Sequence, residues 1–528
     1  MGGRMQEVSQ HIRETIGAVG LETDDPLVFR AKFSPNRPAV IEVATGRHLN
    51  YGELNEQISR CVGLYAKALG DNDDQPRIAY LGRNSIAEII ACLGCQRFGA
   101  VFVPLNWRLS AIELQQILGD CRPHMLIVDQ EFSGLAREFG PILPPTLVVE
   151  GEDGFLGSLR NSPPHPGRQA PADAPCIILY TSGTTGTPKG VIITRRNAFF
   201  SAINFALVGE VTAQSITLCD LPFFHTIGII AIARTTLLMG GRLVISDRFL
   251  PDRTLSTLGD PTLDVTHYFA VPQMASALHA SPHWNPFALK ALKAIFIGGA
   301  PLSPALIEAF RQDGVTLVNG YGMSEAGTVL HMPLDNDLIA ANPDSVGFAA
   351  PFTEVRLVAP DGTDVADGDV GEIWLRGPAV TPGYWNRLSE TAIAFVKGWY
   401  RTGDLGRRDE AGLIYIPDRL KDMYISGGEN VFPAEVEAVI AIHPAVLDVA
   451  VIGIPDPRWG ESGVAFVVRA SSPEALAEDI LGHCAARLAT FKRPLRVIFI
   501  ETIPRTASGK AQKHVLRQSY IDTDPKPL

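Results

Sequence analysis

The chain has 528 residues, too many for a single hydrophobic core, so two or more domains are expected. Apolar residues at 46% and charged residues at 20% place it among ordinary globular enzymes. A formal net charge of −11 argues against nucleic acid as a partner, because nucleic-acid binders carry a basic face. An acidic chain that takes anionic ligands must gather its cations locally, which singles out lysines and arginines in glycine-rich loops.

The N-terminal residues lack the apolar core of a signal peptide. No stretch reaches the roughly 18 consecutive apolar residues of a membrane-spanning helix. Seven cysteines, odd in number and irregularly spaced, fit a reducing cytoplasm. Cys92-x-x-Cys95 has the spacing of a redox or metal pair. It lies within residues 86–98, where apolar positions recur at helical spacing and no second pair is near, so it reads as core packing.

Up to about residue 175, strands alternate with helices. Residues 77–81 read as a strand, 85–98 as a helix, 100–105 as a strand and 125–128 as another. A further helix opens at Ser110, a predicted N-cap with Glu113 at the capping-box position. This alternation predicts a mainly parallel sheet covered on both faces. Residues 161–175, rich in Pro and Ala, read as a linker.

The next unit opens on residues 180–190, Tyr-Thr-Ser-Gly-Thr-Thr-Gly-Thr-Pro-Lys-Gly, between apolar strands at 176–179 and 191–193. Glycines let the backbone fold around an anion. Backbone N–H groups and hydroxyls then donate to it, and Lys189 adds charge. The loop is too long for a simple turn and lacks Walker spacing, so it reads as a phosphate-gripping loop of another kind. Strands follow at 242–245, 265–269, 294–297 and 317–319. Ligands gather at the carboxyl ends of such strands, so the loops at 221–228, 298–301 and 321–327 are the candidates.

From about residue 345 the strands at 355–358, 372–376 and 413–416 alternate in polarity with Asp-Gly turns between, as in a small antiparallel unit. A compact α/β module ends the chain: helix 434–442, strands 446–453 and 463–468, helix 473–490 and strand 496–499. The expected fold class is α/β. A large N-terminal domain, 1–417, holds doubly wound sheets plus a small β unit, in subregions of about 1–175, 176–344 and 345–417. Residues 418–421 would be a hinge and 422–528 a mobile small α/β lid.

Together the motifs resemble the adenylate-forming enzymes: acyl-CoA synthetases, nonribosomal-peptide adenylation domains and beetle luciferases. The resemblance runs nearly end to end. It is carried by the phosphate loop and by Leu-Pro-Phe-Phe-His-Thr-Ile-Gly at 221–228, Gly-Gly-Ala-Pro-Leu at 298–302 and Tyr-Gly-Met-Ser-Glu at 321–325. It continues in Gly-Trp-Tyr-Arg-Thr-Gly-Asp at 398–404, Asp-Arg-Leu-Lys-Asp at 418–422 and Pro-Arg-Thr-Ala-Ser-Gly-Lys at 504–510.

The resemblance implies three catalytic residues: Lys510, which reaches between carboxylate and α-phosphate; His225, a gate to the carboxylate; and Lys189. It implies that Thr181, Ser182, Gly183, Thr184, Thr185, Gly186 and Lys189 hold the β- and γ-phosphates of ATP. Glu325, with Thr181, would ligate Mg²⁺. Gly299, Ala300, Pro301, Asn319, Gly320, Gly322, Met323 and Tyr415 join the nucleotide site. Tyr321 would lie against adenine, Asp404 accept from the ribose hydroxyls, Arg419 contact ribose or phosphate, and Ser324 donate to the α-phosphate where the family usually has Thr.

For the second half-reaction, the resemblance is closest to acyl-CoA synthetases around Ser426, Gly427, Gly428 and Glu429, which would line a tunnel for the pantetheine arm of coenzyme A after a swing about Lys421. Trp459 beside Arg458, and Arg493 after Phe491 and Lys492, resemble holders of the CoA nucleotide; Trp107 and Arg108 are candidates from the large domain. No Asp stands near His225 to pair a substrate ammonium, so an α-amino acid is disfavoured. Ile227, Gly228, Ile229, Tyr268, Val271, Gly298, Met323 and Val329 are candidate wall residues, mostly apolar, and favour an apolar acid. His331 and Arg234 are candidates to pair a second substrate carboxylate.

The leading expectation is an ATP-dependent acid–CoA ligase. Two alternatives stand beside it: an acyl-AMP ligase that loads a separate carrier protein, and a non-catalytic nucleotide- or CoA-binding homologue. The expected partners are a small carboxylic acid, ATP and CoA; homo-oligomerisation is left open.

Overall fold

The structure is a computed structural model and describes residues 25–70, 75–168, 170–181, 188–300, 302–416, 422–426, 429–470, 476–506 and 510–523. Local sequence signals set many of its elements. Ser85 Oγ accepts from the Glu88 N–H and starts the helix Ile86–Phe98, which is buried along its whole length. Ser110 and Glu113 form the expected capping box on Ala111–Cys121. Cys92 and Cys95 lie within the buried helix, and burial raises both thiols well above their ordinary range, as inert core groups.

Among the described residues the strands form three sheets. The first runs Thr146–Val148, Met125–Val128, Arg77–Leu81, Val101–Leu105, then β1 (Pro175–Thr181) and β2 (Lys189–Thr194). Its ladders are parallel except for the antiparallel β1–β2 hairpin, which carries the phosphate loop. Residues 162–168 are a strap rather than a loose linker. The His165 N–H donates to Ser59 O at 2.9 Å and the Arg168 N–H to Arg97 O at 2.9 Å.

Helix α1 (Arg195–Val208) leaves β2 through a Thr194–Asn197 capping box. It covers one face of the second sheet, where Ile216–Cys219, β3 (His267–Ala270), β4 (Ala294–Ile297) and β5 (Leu317–Met323) run parallel. At β5 the sheet changes character. β6 (Gly327–His331) returns antiparallel, and Ser345–Ala349, Ile414–Tyr415, Trp399–Arg408, Val370–Arg376 and Glu354–Val358 continue from it. The small β unit of residues 345–417 is therefore continuous with the parallel strands in one 14-stranded sheet. Pro38–Glu42 and His48–Asn50 also join this sheet, although the sequence order groups them with the first unit.

The third sheet belongs to the C-terminal module. Val446–Asp456 and Gly460–Arg469 form its long central hairpin, flanked by Tyr424–Ser426, Glu429–Val431 and the parallel strand Arg496–Phe499. The helix expected over 473–490 is shorter, Ala477–Ala485, and a 3₁₀ turn, Thr490–Lys492, follows. Among the described residues, no helix is long and apolar enough to cross a membrane.

Candidate active site

The β1–β2 hairpin fixes the phosphate end. Thr181 and Lys189 are its last register pair, and Thr181 Oγ1 donates to Lys189 O at 3.4 Å. The loop residues Ser182, Gly183, Thr184, Thr185 and Gly186 lie outside the described residues. A segment not singled out by the sequence laces onto this hairpin. The Ile192 N–H donates to Gly383 O at 3.1 Å and the Trp385 N–H to Gly190 O at 2.7 Å. Tyr384 is thereby set with its ring centroid 5.6 Å from Lys189 Nζ. Its hydroxyl donates to Glu325 Oε1 at 3.1 Å and lies 3.1 Å from the Tyr400 hydroxyl. Tyr384 thus links the phosphate-loop lysine to the proposed metal carboxylate. The sequence signal for it was slight: two aromatics, Tyr384 and Trp385, after a Pro-Gly pair.

The β5–β6 hairpin supplies the nucleotide end. Ser324 and Glu325 sit on its tight turn, held by the Ala326 N–H donating to Met323 O at 3.2 Å. The strands approach closely enough that a Cβ on Gly322 would lie 2.4 Å from Gly327 O. Tyr321 Oη donates to Asp404 Oδ2 at 2.5 Å, and the Asp404 N–H donates to Thr402 Oγ1 at 3.0 Å. Two motifs 83 residues apart in sequence therefore meet at one point. Asn319 donates to Ser345 O at 3.0 Å, which ties β5 across β6 to the strand Ser345–Ala349. Gly299 and Ala300 follow β4, Gly299 with φ +85°, while Pro301 lies outside the described residues. The Tyr415 hydroxyl lies 3.1 Å from Asn342 Oδ1 and 3.0 Å from Asp409 Oδ2.

His225 opens onto a π-helical segment, Ile227–Arg234, a form concentrated at functional sites. Burial, with the charges of Arg108 and Lys510, pulls its pKa down to about 4. The imidazole is therefore neutral at pH 7. Its Nε2 is buried with no partner among the described residues. The Lys510 charge is felt at His225, so the C-terminal module's lysine lies within electrostatic reach of the large domain's histidine. Its backbone is tied into a small loop: the Lys510 N–H donates to Thr506 Oγ1 at 3.1 Å, and the Thr506 N–H to Lys510 O at 2.8 Å. Arg108 reaches the same place. Its guanidinium lies 4.9 Å from the Trp107 ring and 5.9 Å from that of Phe224.

Below His225, the π-helical segment packs on α1 and β6. The strand period corrects one wall residue. Tyr268 points to the far face of β3, where its hydroxyl bonds both oxygens of Asp220 at 3.1 Å. Its neighbour Phe269 faces α1 instead, with its ring 5.6 Å from that of Phe205. Gly298 and Gly320 lie on that same face, on adjacent strands in register. Ile229 and Val329 are buried core. Arg234 is also buried, and its Nη1 donates to Gln96 Oε1 at 2.6 Å, so the guanidinium serves the core rather than a substrate carboxylate.

In the C-terminal module, Ser426 pairs with Glu429 across the hairpin tip and with Gly460 on the central strand, which brings Trp459 alongside. The Trp459 N–H donates to Asp456 Oδ1 at 2.9 Å, and the Arg458 guanidinium lies 5.2 Å from its ring. Arg493 Nε donates to Leu488 O at 2.9 Å, while Lys492 pairs with Glu435 at 2.6 Å. Arg419, Lys421, Gly427 and Gly428 lie outside the described residues.

The donor set fits the ligands expected. Among the described residues no three His, Cys, Asp or Glu side chains converge as a metal cage. Mg²⁺ does not need one: it is bound through one or two carboxylates, with phosphates and water completing its shell. Glu325, held by Tyr384 beside Lys189, offers one hard oxygen ligand next to a phosphate-binding cation.

The AMP-binding enzyme family model matches residues 28–385, and that of the AMP-binding enzyme C-terminal domain matches 435–510. The chain is 37% identical over 494 residues to a feruloyl-CoA synthase from Amycolatopsis, covering 93% of this chain and 98% of that protein. It is 35% identical over 488 residues to an indoleacetate–CoA ligase from Aromatoleum aromaticum, covering 89% and 93%. Its structure is similar to that of ATP-bound MatB from Rhodopseudomonas palustris, with TM-score 0.86 and 28% identity over 95% of this chain and 99% of that one. With a phosphate-loop hairpin and a Tyr321–Asp404 pair in a chain that matches both family models, this protein is a member of the AMP-binding, adenylate-forming enzyme family.

Proposed function

We propose that the chain is an ATP-dependent acid–CoA ligase acting on an apolar carboxylic acid. A carboxylate is a poor electrophile because oxide is a poor leaving group. Attack of the carboxylate oxygen on the α-phosphate of ATP gives acyl-AMP and expels pyrophosphate. Attack of the CoA thiol on the acyl carbon then gives the thioester, releases AMP and loses the thiol proton. Two anions must meet in the first step, so catalysis is mainly positioning and charge neutralisation. Lys189 and the loop before it hold the leaving phosphates. Glu325 and Thr181 would hold Mg²⁺, which neutralises phosphate charge when bound. Lys510 bridges carboxylate and α-phosphate. His225, neutral at pH 7, borders the carboxylate without adding a charge of its own.

The single observation that carries this assignment is Tyr384 joining Lys189 to Glu325, in a chain where the Lys510 charge is felt at His225. After adenylation the C-terminal module turns about residues 418–421 and brings the 426–429 hairpin to the cleft, with Trp459 and Arg493 toward the CoA nucleotide. The phenylalanines Phe205, Phe269 and Phe296 beside Gly298 and Gly320 favour an acid with an apolar body. Seven buried free cysteines favour a cytoplasmic location.

The test is pyrophosphate release with ATP, Mg²⁺ and a panel of aliphatic, aromatic and terpenoid acids, with and without CoA. Acyl-CoA formation supports the ligase. Hydroxamate trapping of acyl-AMP without any acyl-CoA would point to a carrier-protein thiol as acceptor. Nucleotide binding without pyrophosphate release would leave a non-catalytic homologue.

A further inference from the structure

His331 ends β6, opposite Gly320 in register. The sequence offered it as a partner for a second substrate carboxylate, but its chemistry here is the reverse. Its Nδ1 lies 2.6 Å from Met332 O. A carbonyl only accepts, so Nδ1 carries the proton. Burial pulls the imidazole's pKa down to about 4, so at pH 7 it is neutral and Nε2 is a bare lone pair. That Nε2 is buried and has no hydrogen-bond partner among the described residues. Buried polar atoms are nearly always satisfied, and an exception calls for a cause.

Its surroundings set that lone pair beside the bare glycine faces of β5 and β4. A Cβ on Gly320 would lie 3.1 Å from His331 Cδ2, the carbon bonded to Nε2, so this edge of the ring covers the bare face of Gly320. Gly298 is the next bare position, with Phe269 Cζ 3.2 Å from where its Cβ would be. The rings of Phe296 and Phe205 lie 5.5 and 6.2 Å from the imidazole. The acceptor is therefore set in an apolar wall that offers it no donor. β6 also packs against the π-helical segment that begins just after His225, so one packed unit joins the carboxylate end of the cleft to His331.

We propose that His331 Nε2 is a specificity-determining acceptor, and that the substrate is a carboxylic acid with an apolar body and one hydroxyl or N–H donor at the end remote from its carboxylate. This rests on the ligase function proposed above. A neutral acceptor in a dry wall repels a carboxylate and discriminates against an acid that ends in carbon, because that acid leaves the lone pair unmatched.

The experiment compares matched acids that differ by one hydroxyl: octanoic with 8-hydroxyoctanoic acid, and 3-phenylpropanoic with its 3- and 4-hydroxyphenyl counterparts. Pyrophosphate release is measured for wild type, His331→Leu and His331→Gln. Wild type is expected to prefer the hydroxyl member of at least one pair by about ten- to a hundredfold in kcat/KM, mostly through KM. His331→Leu should lose that preference, with the hydroxyl and plain members of each pair falling within a few-fold of each other in kcat/KM, and His331→Gln, whose amide oxygen accepts, should retain part of it. Absence of any hydroxyl preference in wild type, measurable without any variant, overturns the proposal. So does a preference that survives in His331→Leu. Pyrophosphate release without hydroxyl preference overturns this inference alone, whereas no release with any acid overturns the ligase function and this inference with it.

Discussion

Replacing Tyr384 with Phe removes a single hydroxyl from the centre of the proposed site. That oxygen donates to Glu325 Oε1 at 3.1 Å and lies 3.1 Å from the Tyr400 hydroxyl. The ring stays, so the Lys189 ammonium keeps its aromatic face at 5.6 Å. What is lost is the hydrogen bond to the Glu325 carboxylate, worth about 1.5–3 kcal/mol, together with the neutral one to Tyr400. If Glu325 holds the metal, this bond orients a metal ligand, and loss of such a partner typically costs about 10–100-fold in metal affinity or activity. The two figures agree, since 1.4 kcal/mol is about tenfold. Pyrophosphate release is therefore expected to fall 10–100-fold at fixed Mg²⁺, with part of the loss recovered as Mg²⁺ is raised. The assay is a Mg²⁺ titration of initial rate at saturating ATP and acid, with melting temperature as the control for folding. A folded Tyr384→Phe enzyme with wild-type kcat and an unchanged Mg²⁺ midpoint would refute the proposed link from Lys189 through Tyr384 to Glu325.

Lys510→Ala should slow acyl-AMP formation by about 10²–10³-fold, the usual cost of one preorganised donor, while conversion of supplied acyl-AMP and CoA to acyl-CoA stays within a few-fold of wild type; separate assays of the two half-reactions check this. Gly320→Ala would put a Cβ 3.1 Å from His331 Cδ2, so bulky acids should lose kcat/KM more than slender ones, read from a graded acid series. His331 also predicts a pH effect. Its folded pKa, about 4, lies below the unfolded value of about 6.5, so its contribution to stability is full above pH 6.5 and is lost as pH falls toward 4. Urea unfolding of His331→Leu should show a stability that falls less steeply than wild type across that window, by up to about 1.4 kcal/mol per pH unit.

Local chemistry was legible wherever it was contiguous. The capping box at Ser110, the buried helix with Cys92 and Cys95, and the strands flanking the loop of Lys189 all form from neighbours in sequence. The π-helical segment after His225 was not legible, because a wider helical turn is chosen by what packs on it. Tyr268 and Phe269 show the same limit at one residue's scale. Both are aromatic and suit a strand, and only the register of β3 against β4, with α1 on one face, decides which of them faces α1. Arg234 and His331 are a third case. Each is a polar residue in an apolar run, but Arg234 finds Gln96 in the core while the Nε2 of His331 finds nothing among the described residues.

The sequence by itself determined the family and its reaction type, because adenylation needs fixed residue kinds in fixed local motifs: a glycine-hydroxyl loop with Lys189, the turn with Glu325, and Lys510 near the C-terminus. Tertiary structure alone decided how those motifs meet. Tyr384 joins Lys189 to Glu325 because residues 383–385 bond back onto β2, and Tyr321 reaches Asp404 because the sheet runs unbroken from β5 to Trp399–Arg408. The character of the inner wall was decided there too. Two glycines on adjacent strands and a neutral, buried imidazole come together through strand pairing, an interaction between segments that no single stretch of sequence encodes.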